Sequence, residues 1–300
     1  NPVTNNGVSS MKTFIDLADD YRTSLEYRDL RLETQRQYDY HIAIAAEHFG
    51  RTRLSKIAPL SAKKAYDTWC NRGVSFANHV MSAAKIVFNH GVRMEIVSVN
   101  PFDKVKRRET KARRVVWSQN DIQKFLEVAY SDFSTRNIGL IAQMAYEWCQ
   151  RLGDMRVLEW TSIQFDKQTV HIEQSKRRAE VFLPISDELC EMLQEQQDDF
   201  GFQSYVAPRP YPIDGVYKPY SLYKLPKFAR QLMDQAGLSR DLRLSDLRRT
   251  GTTEMVDAGV SIGQIMSVTG HANPQSVKPY MKHTYDSANY ALTKRKNHAK

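Results

Sequence analysis

Five residues of this chain, taken in order, carry the side chains needed to break a phosphodiester without a metal: Arg151, Lys176, Arg248, His271 and Tyr280. The scissile phosphate is already anionic, and its pentacoordinate transition state carries more charge, which fixed donors must meet. Arginine suits this because its planar fork pairs two phosphate oxygens at once. A lysine in a partly desolvated site can protonate the leaving 5′ oxygen. A tyrosine phenol can attack phosphorus and keep the bond energy in a reversible covalent link. With a free pKa of about 10, that phenol needs cations beside it.

The surrounding segments place these parts at definite points. WCQRLGDMRVLEW (148–160) sets Arg151 at the end of an apolar helix, with Asp154 one turn on to hold the arginine or cap the next turn. EQSKRRAEVFLP (173–184) puts Lys176 in the turn between two strands. LRLSDLRRT (242–250) puts Arg248 near a helix start, TGHANPQS (269–276) puts His271 at a helix entrance, and Tyr280 follows His271 by nine residues. Each residue also has a plainer reading. Arg151 alone is an ordinary surface or salt-bridged arginine, Lys176 a solvated turn cation with Arg177 and Arg178 as rivals, and His271 a cap. Arg249 competes with Arg248, while Tyr285 and, more weakly, Tyr290 compete with Tyr280; the spacing from His271 favours Tyr280.

These groups need a scaffold, and composition allows one. Three hundred residues suffice for one large domain or two ordinary ones. The excess of 43 Lys+Arg over 34 Asp+Glu, a net +9, favours a polyanionic partner, nucleic acid before an anionic membrane surface. Cys70, Cys149 and Cys190 are too few and scattered for a disulfide framework or a zinc cluster, and suit a reducing interior. No apolar run approaches the roughly 18 residues of a membrane span.

Residues 1–10 read as a flexible lead. Helical stripes follow within a domain at 11–103: Phe14, Leu17, Ala18, Tyr21 and Leu25; then Tyr38, His41, Ile42, Ala45 and Phe49 behind a Thr34–Gln37 capping box. Ser61 caps a third helix with Ala65, Tyr66 and Trp69; a fourth carries Ala77, Val80, Met81, Ala84, Val87 and Phe88, and the set stops at Asn100-Pro101. Residues 104–116 read as a basic linker. Its cations Lys104, Lys106, Arg107, Arg108, Lys111, Arg113 and Arg114 suit a segment lying along a phosphate backbone. A second domain, 117–300, begins with helices capped by Ser118–Asp121 and spanning about 136–149. It turns to short strands at 161–165, 169–173 and 180–184, then resumes helices near 186–197, 221–236, 246–258, 261–268 and 273–281, with a long loop at 199–220. The fold class is mainly α with a small antiparallel β-sheet.

The boxes in this order resemble those of the tyrosine recombinases, the family of phage integrases and of the Xer and Cre recombinases. The family pattern is G-x-R-x-x-E/D-L, a β-hairpin lysine, H-x-x-R, then L-G-H and a tyrosine about nine residues later. On that pattern Arg151 matches the first arginine with Asp154 as its acid, Lys176 the hairpin lysine in a QSK context similar to lambda-type integrases, Arg248 the second arginine, His271 the His or Trp position and Tyr280 the nucleophile. The box spacing favours Arg248 over Arg249, and His283 matches a frequent Tyr-x-His. Two departures stand out. Cys149-Gln150 occupies the place of Thr-Gly, and Ser245 opens the H-x-x-R box in place of histidine. A hydroxyl can donate to a phosphate but cannot carry a proton near neutral pH as imidazole does.

The resemblance, covering about 11–285, implies a site-specific recombinase of phage or mobile-element integration and excision. Its two domains would clamp double-stranded DNA, cutting through a 3′-phosphotyrosine and exchanging strands through a Holliday junction, with neither metal nor ATP. It further implies a monomer when free, a homo-tetramer on DNA, accessory DNA-bending proteins as possible partners, and a cytoplasmic location at the nucleoid of a bacterial or host cell. The tail from about 284 is expected to be amphipathic enough to dock on a neighbouring subunit. Lambda-type integrases often carry an N-terminal arm-binding domain, for which a ten-residue lead is too short. The alternatives are a type IB topoisomerase-like enzyme and a DNA-binding protein with lost or weak catalysis.

Overall fold

In the computed structural model, residues 13–176, 178–281 and 285–298 are described, apart from the side chains of 285–287, 290 and 298. The lead, Arg177 and His283 lie outside the described residues. The chain forms two compact units, Asn1–Arg113 and Arg114–Lys300.

The first unit is helical: α1 Phe14–Thr23, α2 Leu25–Arg28, α3 Leu32–Phe49, α4 Pro59–Cys70 and α5 Val74–Arg93. Helix α1 opens on a capping box between Thr13 and Asp16, which satisfies two backbone donors the helix leaves free. The apolar stripes converge on a core in which Phe14 lies 5.5 Å from both Phe49 and Phe88, ring to ring, and Trp69 stacks on Phe102 at 6.0 Å. Leu25 belongs instead to the separate short α2 and is exposed.

Three local signals resolve differently from the sequence reading. Helix α3 enters at Arg31 with no side-chain cap, so Thr34 and Gln37 are interior helix residues that merely share the spacing of a box. Helix α4 starts at Pro59, where the missing N–H costs nothing, leaving Ser61 inside it. Helix α5 already ends at Arg93, and Asn100 is a buried staple: its Nδ2 donates to the Lys85 carbonyl and Asn89 Oδ1, and its Oδ1 accepts from the Phe102 N–H. The basic run is also partly anchored. Val105 is buried, the Arg108 N–H donates to Tyr66 Oη at 2.8 Å, and the Arg108 carbonyl accepts from Asn78 Nδ2 at 3.0 Å. Its first half is therefore part of the helical unit rather than a free spacer.

The second unit begins at Trp117, whose N–H donates to Thr250 Oγ1 and whose indole donates to the Arg243 carbonyl. The Ser118–Asp121 capping box starts α6, Gln119–Tyr130. Helix α7, Phe133–Glu147, is buried over most of its length, and a one-turn α8, Leu152–Met155, follows. Strands β1 Ile163–Gln164, β2 Thr169–Glu173 and β3 Glu180–Pro184 form an antiparallel sheet in the order β1-β2-β3. Its register pairs Val170 with Leu183 and Ile172 with Val181, which face the core. The alternate residues His171 and Phe182 stack at 4.3 Å on the other face.

Helices α9 Asp187–Phe200, α10 Lys224–Gln235, α11 Leu247–Asp257, α12 Ile262–Thr269 and α13 Tyr285–His298 complete the unit. The expected helix at 273–281 is two single 3₁₀ turns, Pro274–Ser276 and Lys278–Tyr280. Each holds a proline in its first turn, and Pro279 cannot sit inside a continuous helix. The described side chains of α13, Leu292 included, are exposed. No described helix is long and apolar enough to cross a membrane.

Candidate active site

The site forms where the α7–α8 turn, the β2–β3 hairpin, the start of α11 and the end of α12 meet. Cys149 leaves α7 with φ 51°, in the left-handed region, and so turns the chain sharply toward Arg151. Counted back from Arg151, Cys149 is the glycine position of the G-x-R box, so the Thr-Gly pair falls at Trp148-Cys149 rather than Cys149-Gln150, and the departure is one of backbone as much as packing. The Cys149 thiol is buried, and burial pushes it up to about 11, with Thr252 and Arg248 opposing. Gln150 next to it is fully buried; its Nε2 donates to the carbonyls of Trp148 at 2.8 Å and Val268 at 2.7 Å.

Arg151 then stands before α8, directed by two partners. Its Nη1 donates to Gln174 Oε1 at 2.7 Å, and Asp154 Oδ2 lies 3.9 Å away. Asp154 is 3% exposed at its side chain, and its Oδ1 accepts from the Ser175 N–H at 3.0 Å. One carboxylate thus touches both the first arginine and the root of the hairpin.

Arg248, in the first turn of α11, is half-buried. Its Nη2 donates to the Thr269 carbonyl at 2.9 Å and lies 3.2 Å from His271 Nε2. Its Nη1 is buried and has no hydrogen-bond partner. Burial pushes this guanidinium below its ordinary value, as does the neighbouring charge of Arg151, while Tyr280, Cys149 and Asp154 act the other way. Two cations held this close, one with an unmatched buried N–H, form a ready anion site.

His271 is set by the end of α12. Gly270 caps that helix with φ 67°, and an added Cβ would lie 2.6 Å from Gln174 Nε2, so any side chain here is strained and must displace that amide. Thr269 Oγ1 donates to the Ile265 carbonyl at 2.7 Å and so accepts from His271 Nδ1, also at 2.7 Å. That network assigns the proton to Nδ1 and leaves Nε2 as an acceptor facing Arg248. Tyr280, half-buried in its 3₁₀ turn, has its ring 6.1 Å from that of His271 and 5.0 Å from the Arg249 guanidinium carbon. The two adjacent arginines are thereby separated: Arg248 faces the Thr269 carbonyl and Arg249 faces the Tyr280 ring.

The structure therefore gathers Arg151, Asp154, Arg248, His271 and Tyr280. It gives Lys176 and Ser245 no hydrogen bond to them. Lys176 is exposed in the hairpin turn, and Ser245 is exposed in a 3₁₀ turn before α11; neither makes a side-chain hydrogen bond to the described residues. Lys104, Lys106, Arg107, Arg108, Lys111 and Arg114 are exposed, and Arg113 is half-buried. Sequence reasoning missed Gln150, Gln174 and Thr269, whose roles depend on contacts more than 20 residues apart or on a backbone carbonyl. Among the described residues no cluster of histidine, cysteine and acidic groups could hold a metal.

Comparison with known proteins gives this arrangement its class. The sequence model of the phage integrase family matches residues 116–287, more than half of the chain, and the chain belongs to that family. It is thus a tyrosine recombinase, a DNA strand-cleaving and rejoining enzyme. A tyrosine recombinase of Pseudothermotoga lettingae is 22% identical over 222 residues, 70% of this chain and 71% of that protein. The tyrosine recombinase XerA of Thermococcus onnurineus is 23% identical over 288 residues, covering 95% and 96%. In fold, the chain is similar to lambda integrase, seen as a dimer on a core site, with TM-score 0.77, 18% identity and 94% of this chain against 81% of that one. It is equally similar to the Tn1549 transposon integrase in complex with circular intermediate DNA, with TM-score 0.77, 14% identity and coverage of 94% and 99%.

Proposed function

We propose that Tyr280 is the nucleophile and that Arg151 and Arg248 clamp the scissile phosphate. The observation that carries this is the buried, unmatched Nη1 of Arg248 beside Arg151, which the oxygens of a phosphodiester would satisfy. Tyr280 Oη attacks phosphorus, the bond from phosphorus to the 5′ oxygen breaks, and the DNA is left joined through a 3′-phosphotyrosine. The two guanidinium groups meet the extra charge of the pentacoordinate state. Proton balance requires an acceptor for the phenol and a donor for the 5′ oxygen. His271, protonated on Nδ1 with Nε2 as the ring's acceptor, is the imidazole beside Tyr280 and takes the first role in place of the histidine that Ser245 replaces. Lys176 takes the second, brought down with its hairpin when DNA occupies the site. Attack by a free 5′ hydroxyl on the phosphotyrosine reverses the sequence and rejoins the strand.

In this reading the exposed cations of 104–114 lie along the DNA backbone, and the enzyme acts on a phage or mobile-element attachment site. Lambda integrase has been seen as a tetramer on a Holliday junction, and a fold with TM-score 0.77 to that protein supports the same synaptic assembly here.

The test is a nicked duplex that traps the covalent intermediate, run in EDTA. Wild type should form the adduct, and Tyr280→Phe should bind the same DNA without forming it. An adduct retained by Tyr280→Phe but lost in Tyr285→Phe overturns the assignment. Relaxation of supercoils without resolution of a Holliday junction would point to topoisomerase chemistry instead.

A further inference from the structure

We propose that Gln174 is a positioning residue of the phosphate clamp, locking Arg151 in register with Arg248 through the Thr269 carbonyl. The proposal rests on the recombinase reading above and deepens it. Gln174 closes the base of the β2–β3 hairpin: its N–H donates to the Ala179 carbonyl at 2.8 Å, and its carbonyl accepts from the Arg178 N–H at 2.9 Å. Its side chain is completely buried. Nε2 donates to Gln150 Oε1 at 2.7 Å and to the Thr269 carbonyl at 2.8 Å, while Oε1 accepts from Arg151 Nη1 at 2.7 Å.

These three bonds fix the amide's direction. Turned over, it would set its NH₂ against a guanidinium and its oxygen against two oxygens. Oε1 is therefore committed to Arg151. The Thr269 carbonyl that receives Nε2 also receives Arg248 Nη2 at 2.9 Å. One carbonyl and one amide thus connect the two arginines, and a phosphate bridging them meets donors already at set spacing.

The chemistry of the side chain matters as much as its place. A second carboxylate at 174, added to Asp154, would hold Arg151 more strongly but offset its charge further and compete with phosphate. The amide orients the guanidinium and leaves it cationic, with its other N–H donors available to the substrate. The missing side chain at Gly270, where a Cβ would fall 2.6 Å from Nε2, keeps room for this arrangement.

The experiment uses the full chain and two trapping duplexes, one with the native scissile phosphate and one with a methylphosphonate there. The methylphosphonate carries no charge, so precise clamping matters less to it. Gln174→Met keeps the volume and removes all three bonds. It should bind DNA within about threefold of wild type and cleave the native phosphate about tenfold to a hundredfold more slowly. On the methylphosphonate its rate should return to within about threefold of wild type. Gln174→Glu, which keeps a partner for Arg151 while neutralising it, should show the same split with a larger loss on native phosphate. Wild-type rates in both variants on native phosphate would overturn the proposal. So would equal deficits on both duplexes, or urea midpoints so low that both variants are unfolded in the assay, because each marks Gln174 as purely structural. A wild-type chain that forms no adduct on either duplex would instead overturn the recombinase reading itself.

Discussion

Arg248 and Arg249 are chemically identical neighbours that the fold sends to different work. Arg248 is pulled against the Thr269 carbonyl and His271 with one N–H unmatched, whereas Arg249 lies over the Tyr280 ring at 5.0 Å. Arg248→Lys loses the planar fork in a partly buried anion site and should slow adduct formation by about a hundredfold or more. Arg249→Gln removes a cation–π contact of about 0.5–1 kcal/mol and should slow it by less than about tenfold. Single-turnover cleavage of a trapping duplex measures both, and a reversed order would move the clamp to Arg249. Sequence order alone ranks these two residues only through a family pattern. A buried, unmatched N–H and a distant carbonyl separate them physically.

At the level of elements, the site depends on where helices stop. Helix α12 ends on Gly270 in the left-handed region, and that turn aims both the Thr269 carbonyl and His271 at Arg248. Gly270→Ala should cost about 1–2 kcal/mol from the backbone alone and must also displace Gln174. Gly237 has the same φ of 67° with open space around it, so Gly237→Ala should show the backbone cost alone. Urea midpoints should fall in both variants, but cleavage should fall only in Gly270→Ala; equal cleavage would show that the Gln174 contact is irrelevant. Elements with period-two burial, such as β2 and β3, were legible because Val170, Ile172, Val181 and Leu183 alternate with outward residues. The Thr34–Gln37 box misled because that spacing also occurs inside any helix, and the chain enters α3 at Arg31. The 3₁₀ turns around Tyr280 replaced a helix because Pro279, inside the expected span, removes a backbone donor and clashes with the preceding turn. The tail expected to be amphipathic is a helix whose described side chains, Leu292 included, are exposed.

For the whole molecule, two separate cores imply two units able to withstand cleavage between them. Backbone bonds at Arg108 and Trp117 bracket an exposed stretch containing Lys111 and Arg114. Limited trypsin digestion should cut first between 111 and 114 and leave two resistant fragments, identified by intact mass. Initial cutting at 104–108 would contradict the anchoring of that half through Tyr66 and Asn78.

The sequence by itself determined the chemical parts, their order, the helical class with its small sheet, and the polyanionic partner implied by net charge +9. These follow from residue type and periodicity, which are local. Only the tertiary structure decided which arginine has a buried, unmatched N–H, which histidine nitrogen carries the proton, and that Gln150, Gln174 and Thr269 tie the site together. Those outcomes depend on hydrogen bonds between groups far apart in the chain, and no local pattern encodes which distant carbonyl a buried amide will meet.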